Sequence, residues 1–249
     1  MAQPRAAMLV IGDEILSGRT RDANAHYLAG EMTRLGIRLA EIRVVPDEAP
    51  VIVAAVQALS GAVDYLFTSG GIGPTHDDIT ADCVAEAMGA SIDIRADARA
   101  ILEAYYPPGD LNEARLRMAR IPEGAGLIEN PISAAPGFVL GNVHVMAGVP
   151  SIFREMLASV APRLVGGPPV VSHSFRVMIP EGELAAPLGA VAAAHPEVAI
   201  GCYPFNRNGI GATVILRSAD RVMLGAAAES CRAMITGLAR GREIEETAP

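Results

Sequence analysis

Short apolar runs alternate with stretches of helical periodicity through the first two thirds of this chain, and the runs end at glycine or just short of an acidic residue. Ala6 to Ile11 is the first such run and stops at Gly12. A continuous apolar run of this length reads as a strand buried on both faces. Asp22 is placed to cap a helix in which Ala25, Leu28, Met32 and Leu35 share one face, and Gly36 stops it. Ile37 to Val45 reads as a second strand. Asp47 then stands at the start of a helix with Ile52, Val53, Val56 and Leu59 on one side. Tyr65 to Thr68 is a third strand, and Asp78 or Thr80 opens a helix that Gly89 closes. Strands alternating with helices in this way build βαβ units, which predicts an α/β fold with a mostly parallel sheet and helices on both faces.

Beyond these units, Ala96 to Tyr106 and Leu111 to Arg120 read as two helices separated by Pro107-Pro108-Gly109. Gly141-Asn142 reads as the two-residue turn of a hairpin between Phe138-Val139-Leu140 and Val143-His144-Val145-Met146. Ser151 is expected to cap the helix that follows. Gly166-Gly167-Pro168-Pro169 breaks the pattern and marks a boundary. The expected organisation is a large α/β domain over residues 1–166, a small α+β domain over 170–240, and an acidic tail, 241–249, that frays. In the small domain, Ser172–Ile179, Val198–Tyr203 and Ile210–Arg217 read as strands, the last two hinged near Asn208-Gly209. Helices are predicted over Glu183–Ala194 and from Asp220 to about Leu238, giving a βαββα unit. It shows no cluster of catalytic residues and reads as an interaction or dimer-supporting module. Tyr203-Pro204-Phe205 fits either core packing or a surface contact.

A formal charge of −8 and the absence of any Lys/Arg-rich run exclude a partner bound by its phosphate backbone, so no nucleic acid is expected. No apolar run approaches the roughly 20 residues of a membrane span. Nothing at the start resembles a secretory leader, so a cytoplasmic location is expected and no membrane partner. Cys83, Cys202 and Cys231 show no paired spacing and read as reduced core thiols rather than zinc ligands or a disulfide framework.

In parallel α/β sheets, ligands bind beyond the carboxyl ends of the strands. Three loops there carry polar residues: Gly12-Asp13-Glu14, Val45-Pro46-Asp47, and Ser69 to Asp78. Gly70, Gly71 and Gly73 allow backbone N–H groups to approach an anion, and the following helix adds its dipole. A tight strand-to-helix turn uses glycine too. The continuation Pro74-Thr75-His76-Asp77-Asp78 adds two adjacent carboxylates, which repel a phosphate unless a cation lies between them. Carboxylates with substrate phosphates are the usual surroundings of Mg2+, so a divalent cation is expected, with Asp77 and Asp78 as its ligands.

Gly12-Asp13-Glu14-Ile15-Leu16-Ser17-Gly18, Asn24, and Gly70-Gly71-Ile72-Gly73-Pro74-Thr75-His76-Asp77-Asp78-Ile79-Thr80 resemble the CinA-type (competence/damage-inducible) branch of the molybdopterin-binding superfamily. Asn130 to Phe138, which includes Gly137, and Gly148-Val149-Pro150-Ser151 continue the likeness in the family's order. It is strong over about residues 8–164 and looser through Ile179-Pro180-Glu181-Gly182-Glu183-Leu184. The resemblance implies a three-layer α/β/α fold, a homo-oligomer (dimer or trimer), and a small phosphorylated ligand: molybdopterin or an adenine nucleotide. It implies metal-assisted cleavage of a nucleotide pyrophosphate such as ADP-ribose or FAD, with Asp47 and Asp78 as the catalytic aspartates. A molybdopterin-binding module without catalysis, and a molybdopterin adenylyltransferase, remain alternatives. The remaining ligand contacts it implies are Gly12, Asp13, Glu14, Asn24, Gly70, Gly71, Gly73, Pro74, Thr75, His76, Gly137, Gly148, Val149, Pro150 and Ser151.

Two departures stand out. Ala147 occupies a position where the family commonly has proline, and the chain ends after the small domain, so nicotinamide-mononucleotide deamidation is not expected. Several of these residues also have a structural role open to them. Asp47 and Ser151 are good helix caps, and Asp13 and Glu14 have a capping role open to them at the turn that follows. Asn112, Arg115 and Arg117 lie where the family often has a polar, basic helix near the ligand, although charged residues usually make a solvated face.

Overall fold

Strand β1 (Arg5–Ile11) shows why this chain builds three layers. Its odd and even residues point to opposite faces, and both sets are apolar. Ala7, Leu9 and Ile11 join one core, while Ala6, Met8 and Val10 join another. A strand of this kind is stable only when helices cover both faces of its sheet.

The computed structural model describes residues 3–206 and 209–249. In chain order, β1 is followed by the short helix α1 (Asp13–Leu16), α2 (Asn24–Arg34), β2 (Arg38–Val45), α3 (Ala49–Ser60), β3 (Tyr65–Ser69) and α4 (Thr80–Met88). Then come β4 (Ile92–Ile94), α5 (Ala96–Tyr105), α6 (Glu113–Leu116), β5 (Arg120–Pro122), β6 (Gly126–Ile128), β7 (Gly137–Leu140), β8 (Val143–Met146) and α7 (Pro150–Val160). The six-stranded sheet runs β2-β1-β3-β8-β7-β6. It is parallel from β2 through β8, and antiparallel where β7 pairs with β8 and β6. Ile52, Val56 and Leu59 of α3, Val84 of α4 and Leu102 of α5 pack on one face; Leu28 and Met32 of α2 and Phe153, Met156 and Leu157 of α7 pack on the other. The expected mostly parallel α/β layers are present.

The chain divides into two compact units, Met1–Gly167 and Pro168–Pro249. The second contains β9 (Val171–Val177), α8 (Glu181–Ala194), β10 (Ala199–Phe205), β11 (Gly211–Ser218), α9 (Arg221–Ala239) and β12 (Ile244–Thr247). Its antiparallel sheet runs β10-β11-β9-β12, and α8 and α9 cover one face of it. The hinge expected near Asn208-Gly209 lies partly outside the described residues, which omit Asn208.

Several local expectations are corrected. The tail expected to fray contributes β12, because Ile244 packs on the core and the strand pairs with β9 from Ile244–Val177 to Thr247–Ser174. Leu111 to Arg120 is not one helix. A turn capped by the Asn112 side chain gives way to a 3₁₀ turn at Arg117–Ala119 and then to β5, which pairs with β4. Pro122 favours an extended conformation at Ile121, and pairing with β4 does the rest. Ser151 does not cap α7; the helix begins one residue earlier at Pro150, which has no N–H needing a cap. Among the described residues, no helix is long and apolar enough to cross a membrane.

Candidate functional site at the carboxyl ends of β1, β2, β3 and β8

The strand order places β1 between β2 and β3, so the connections leaving β1 and β3 diverge and open a crevice beyond their carboxyl ends. The glycine loop after β3 closes against this crevice. Gly70 has φ +109°, and a Cβ there would lie 2.2 Å from the Ile11 carbonyl oxygen. Gly71 has φ +67°, and a Cβ there would strike the Thr80 hydroxyl at 2.2 Å. That hydroxyl donates to the Gly70 carbonyl at 2.9 Å, and the Thr80 N–H donates to Gly71, also at 2.9 Å. The loop is therefore folded back onto the first turn of α4. Among the described residues, the N–H groups of Gly71, Ile72 and Gly73 find no protein acceptor.

Asn24, at the first turn of α2, is buried and is the clamp of this region. Its Nδ2 donates to the Ser69 hydroxyl at 2.8 Å and to the Gly148 carbonyl at 2.7 Å. The loops after β3 and β8 touch as well, since a Cβ on Gly148 would meet the Gly70 Cα at 3.2 Å. The Asn24 Oδ1 is buried with no partner. The helix-capping role belongs to its neighbour Asp22, whose carboxylate accepts from the Asn24 and Ala25 N–H groups.

Asp47 does not cap α3, whose flanking residue is Glu48. Its Oδ2 instead accepts the Asp13 N–H at 2.9 Å, joining the loops after β1 and β2. Burial, followed by the charges of Asp13, Glu14 and Asp77, raises its pKa above the ordinary value, while the bond from Asp13 opposes the rise. Glu14 folds over Gly12, where a Cβ would come within 2.5 Å of its carboxylate.

The Thr75 hydroxyl lies 2.5 Å from Asp77 Oδ1 and 2.5 Å from Asp78 Oδ2. One hydroxyl has one proton to donate. It therefore satisfies only one of the two carboxylates, although the Thr75 N–H also donates to Asp78 at 2.8 Å. The Thr75 hydroxyl lowers the Asp77 pKa. His76 is almost fully exposed, with Nδ1 3.9 Å from Asp77.

Only some of the residues singled out from sequence line two clefts; Gly12, Asp13, Asp47, Gly70, Thr75, His76 and Asp77 line neither. One is lined by Gly71, Gly73 and Asp78 together with Asp82, Arg117 and Arg120. The other is lined by Glu14, Asn24, Gly148 and Pro150 together with Ser69 and Arg21. Val149 and Ser151 are exposed beside the second cleft, and Pro74 is exposed in the glycine loop. Gly137 lies within β7 and is buried, where a Cβ would strike the Val145 carbonyl at 2.3 Å; its place is between strands. Sequence reasoning placed Ser69 in the glycine loop without giving it a role, passed over Arg21 and Arg120, and left Arg117 open between a ligand-side and a surface reading. Arg117 is half-buried, donates to the Asp78 carbonyl at 3.4 Å, and has a buried Nε with no partner. Arg120 pairs with Asp82. The sequence signal for Arg117 was its place in a stretch where the family often has a polar, basic helix near the ligand; Arg120 carried none.

Among the described residues, no three His, Cys, Asp or Glu side chains form a ready metal cage. Mg2+ needs no such cage, since it commonly takes one or two carboxylates together with substrate phosphates and water. Asp77 and Asp78, sharing one hydroxyl proton, suit that kind of partial site.

The matches to known proteins follow this geometry. Residues 7–166 match the model of the probable molybdopterin binding domain, and residues 169–239 match that of the FAD synthase middle domain. A protein of Archaeoglobus fulgidus is 32% identical over 79% of this chain and 84% of its own length. A CinA-like protein of Citrifermentans bemidjiense is 38% identical over 65% of this chain, which spans only 41% of that relative. The crystal structure of the CinA protein of unknown function from Thermoplasma acidophilum is 34% identical, with TM-score 0.61, over 65% of this chain and 98% of that one. With this fold and these loops, the chain belongs to the CinA-type branch of the molybdopterin-binding domain family.

Proposed function

We propose that the crevice beyond β1 and β3 binds a phosphorylated nucleotide or pterin and, with Mg2+ or another divalent cation, splits the pyrophosphate of ADP-ribose, FAD or a similar nucleotide. The observation that carries this reading is the row of N–H groups at Gly71, Ile72 and Gly73 without protein acceptors, in a cleft shared with Arg117. Backbone N–H groups of a glycine loop folded onto a helix start, with a guanidinium beside them, are donors for phosphate oxygens. The match of residues 169–239 to a domain of FAD synthase supports a flavin or adenine nucleotide over other phosphates.

The residues divide the work as follows. The glycine loop and Arg117 hold the phosphates and stabilise charge developing on the phosphoryl oxygens. Asp77 and Asp78 hold the cation, which when bound neutralises phosphate charge and lowers the pKa of water. Asp47, whose carboxyl holds its proton more tightly than usual, takes a proton from an attacking water in this reading.

The test is to incubate the full chain with Mg2+ or Co2+ and ADP-ribose or FAD and to follow AMP release by chromatography. Release is expected, and Asp78→Asn is expected to abolish it. If both nucleotides stay intact with several divalent cations, the hydrolase reading fails. Calorimetric binding without turnover would then leave a molybdopterin- or nucleotide-binding module, and AMP transfer only in the presence of pterin would indicate an adenylyltransferase.

A further inference from the structure

The second unit carries a feature that the site above does not use. Its four-stranded sheet has α8 and α9 on one face only, the face of Phe175, Val177, Val214 and Leu216. On the opposite face, cross-strand pairing sets Tyr203, Thr213, Arg176 and Glu245 in one row across all four strands. Tyr203-Pro204-Phe205 was open to a core reading, yet Tyr203 is 49% exposed.

Glycines on this face make room for two aromatic rings. A Cβ on Gly201 would lie 3.0 Å from Tyr203 Cε2 and from its hydroxyl oxygen, so the ring rests over Gly201, two residues away on the same face. A Cβ on Gly211 would lie 2.5 Å from the tip of the Phe205 ring, so that ring rests over its cross-strand partner. The guanidinium of Arg176 stands 4.2 Å from the Phe205 ring centre and pairs with Glu245 at 3.8 Å. The Phe205 ring is thereby already covered. Arg217 donates to the Tyr203 hydroxyl at 3.2 Å, and Tyr203 is about half exposed. Among the described residues, no carboxylate lies within ion-pair distance of Arg217.

We propose that this helix-free face binds a single nucleotide, its ring stacked on Tyr203 and its phosphate held by Arg217. An exposed aromatic ring on a sheet face is a stacking platform for a planar heterocycle. Flanking arginine supplies the charge that a phosphate requires. A nucleic-acid strand is the wrong occupant: binding one requires a groove of positive charge along several nucleotides. Here Arg176 is tied to Glu245, and the chain carries a formal charge of −8. This site is independent of the crevice in the first unit and does not rest on the function proposed for it.

The experiment uses AMP as probe and the full chain. Binding is measured by calorimetry for the parent, Tyr203→Ala, Tyr203→Phe, Arg217→Ala and Asp78→Asn, with ribose 5-phosphate as the probe lacking a base. Photolabelling with 8-azido-AMP, followed by peptide mapping, locates the site. The expected result is label within residues 199–217 and affinity about tenfold weaker or worse in Tyr203→Ala and Arg217→Ala. Tyr203→Phe is expected to stay within about threefold, because it keeps the ring. Asp78→Asn is expected to leave the labelling of this segment unchanged, and ribose 5-phosphate is expected not to compete for it. Labelling that is absent from this segment, or unchanged in Tyr203→Ala, overturns the proposal whatever the first unit does with nucleotides. So does a twelve-residue oligoadenylate binding more than a hundredfold tighter than AMP in a Tyr203-dependent way, since the occupant would then be a strand. Circular dichroism of each variant verifies the fold, and Tyr203→Phe decides the matter should Tyr203→Ala fail to fold.

Discussion

The Asp47 carboxylate accepts the backbone N–H of Asp13 at 2.9 Å, which fastens the loop after β2 to the loop after β1 and buries part of an acidic side chain among Asp13, Glu14 and Asp77. Burial and these charges raise its pKa, so the folded chain holds the Asp47 proton more tightly than the unfolded chain. A group of this kind adds stability below its unfolded pKa, near 3.8, and loses that contribution as pH rises through the folded value. At neutral pH the ionised carboxylate is a liability. Asp47→Asn keeps an oxygen to accept the Asp13 N–H and removes the charge. Thermal melts should show a Tm higher by about 1–2 °C at pH 7, with the gain vanishing as pH falls below the ordinary carboxylate range. A gain that persists at low pH would remove the electrostatic explanation. In the assay with ADP-ribose the same variant should lose activity, separating stability from function.

Asn24 makes a different kind of tie. Its two Nδ2 bonds join the end of β3 to the loop after β8 through a buried side chain. Asn24→Ala leaves the Gly148 carbonyl without this donor and should cost about 2–3 kcal/mol in urea unfolding. Asn24→Asp should cost more, because it removes both donors and places a charge in a buried position. A loss below about 0.5 kcal/mol for either variant would mean that water replaces the clamp without penalty.

How far these features could be read in advance depended on scale. The apolar run Ala6–Ile11 and the periodic faces of α2 and α3 carry enough residues to define a period, so the parallel layers were legible. Strands β4, β5 and β6 have three residues each, too few to alternate visibly, and β5 interrupts a stretch whose spacing still looked helical. Asp47 showed two roles in sequence, as cap and as catalytic aspartate. Its bond to Asp13 spans 34 residues and depends on β1 and β2 pairing in parallel. Arg117 was ambiguous for a similar reason, since only the tertiary fold brings a guanidinium 39 residues away to the Asp78 carbonyl. The acidic tail failed as a prediction because composition alone argues for fraying, whereas Ile244 supplies a core contact and Glu246 finds Arg232 and His173 as partners.

The glycine loop separates backbone strain from steric closure. Gly89 and Gly70 both have positive φ, but a Cβ on Gly89 meets nothing within 4 Å, whereas one on Gly70 would overlap the Ile11 carbonyl. Gly89→Ala should therefore cost about 1 kcal/mol, the left-handed penalty alone. Gly70→Ala forces β1 and the loop apart and should cost more than about 3 kcal/mol or prevent soluble expression. Equal losses in denaturant titrations would mean that the loop does not pack against β1 as described.

Glu246 is where the second unit should be most sensitive to acid. Its carboxylate accepts from Arg232 Nε at 2.9 Å and lies 2.6 Å from His173 Nε2, linking β12 to α9 and β9. The Arg232 hydrogen bonds, with His173 contributing, pull its pKa from 4.5 down to about 2. For a depressed carboxylate the stabilisation is complete above the unfolded pKa and disappears as pH falls through the folded one. The loss should therefore fall between about pH 4.5 and 2. Glu246→Gln should remove most of this dependence while lowering stability at pH 7 by on the order of 1 kcal/mol, since the group is partly exposed and solvent screens the pair. Urea unfolding of the two proteins across that range tests the assignment, with hydrogen exchange at the β12 amides as a local readout. The parent should lose protection at β12 as the pH falls through this window, and the variant should show weak protection throughout. A parent that keeps full β12 protection at pH 2 would show that backbone pairing with β9, and not the carboxylate, holds the strand in place.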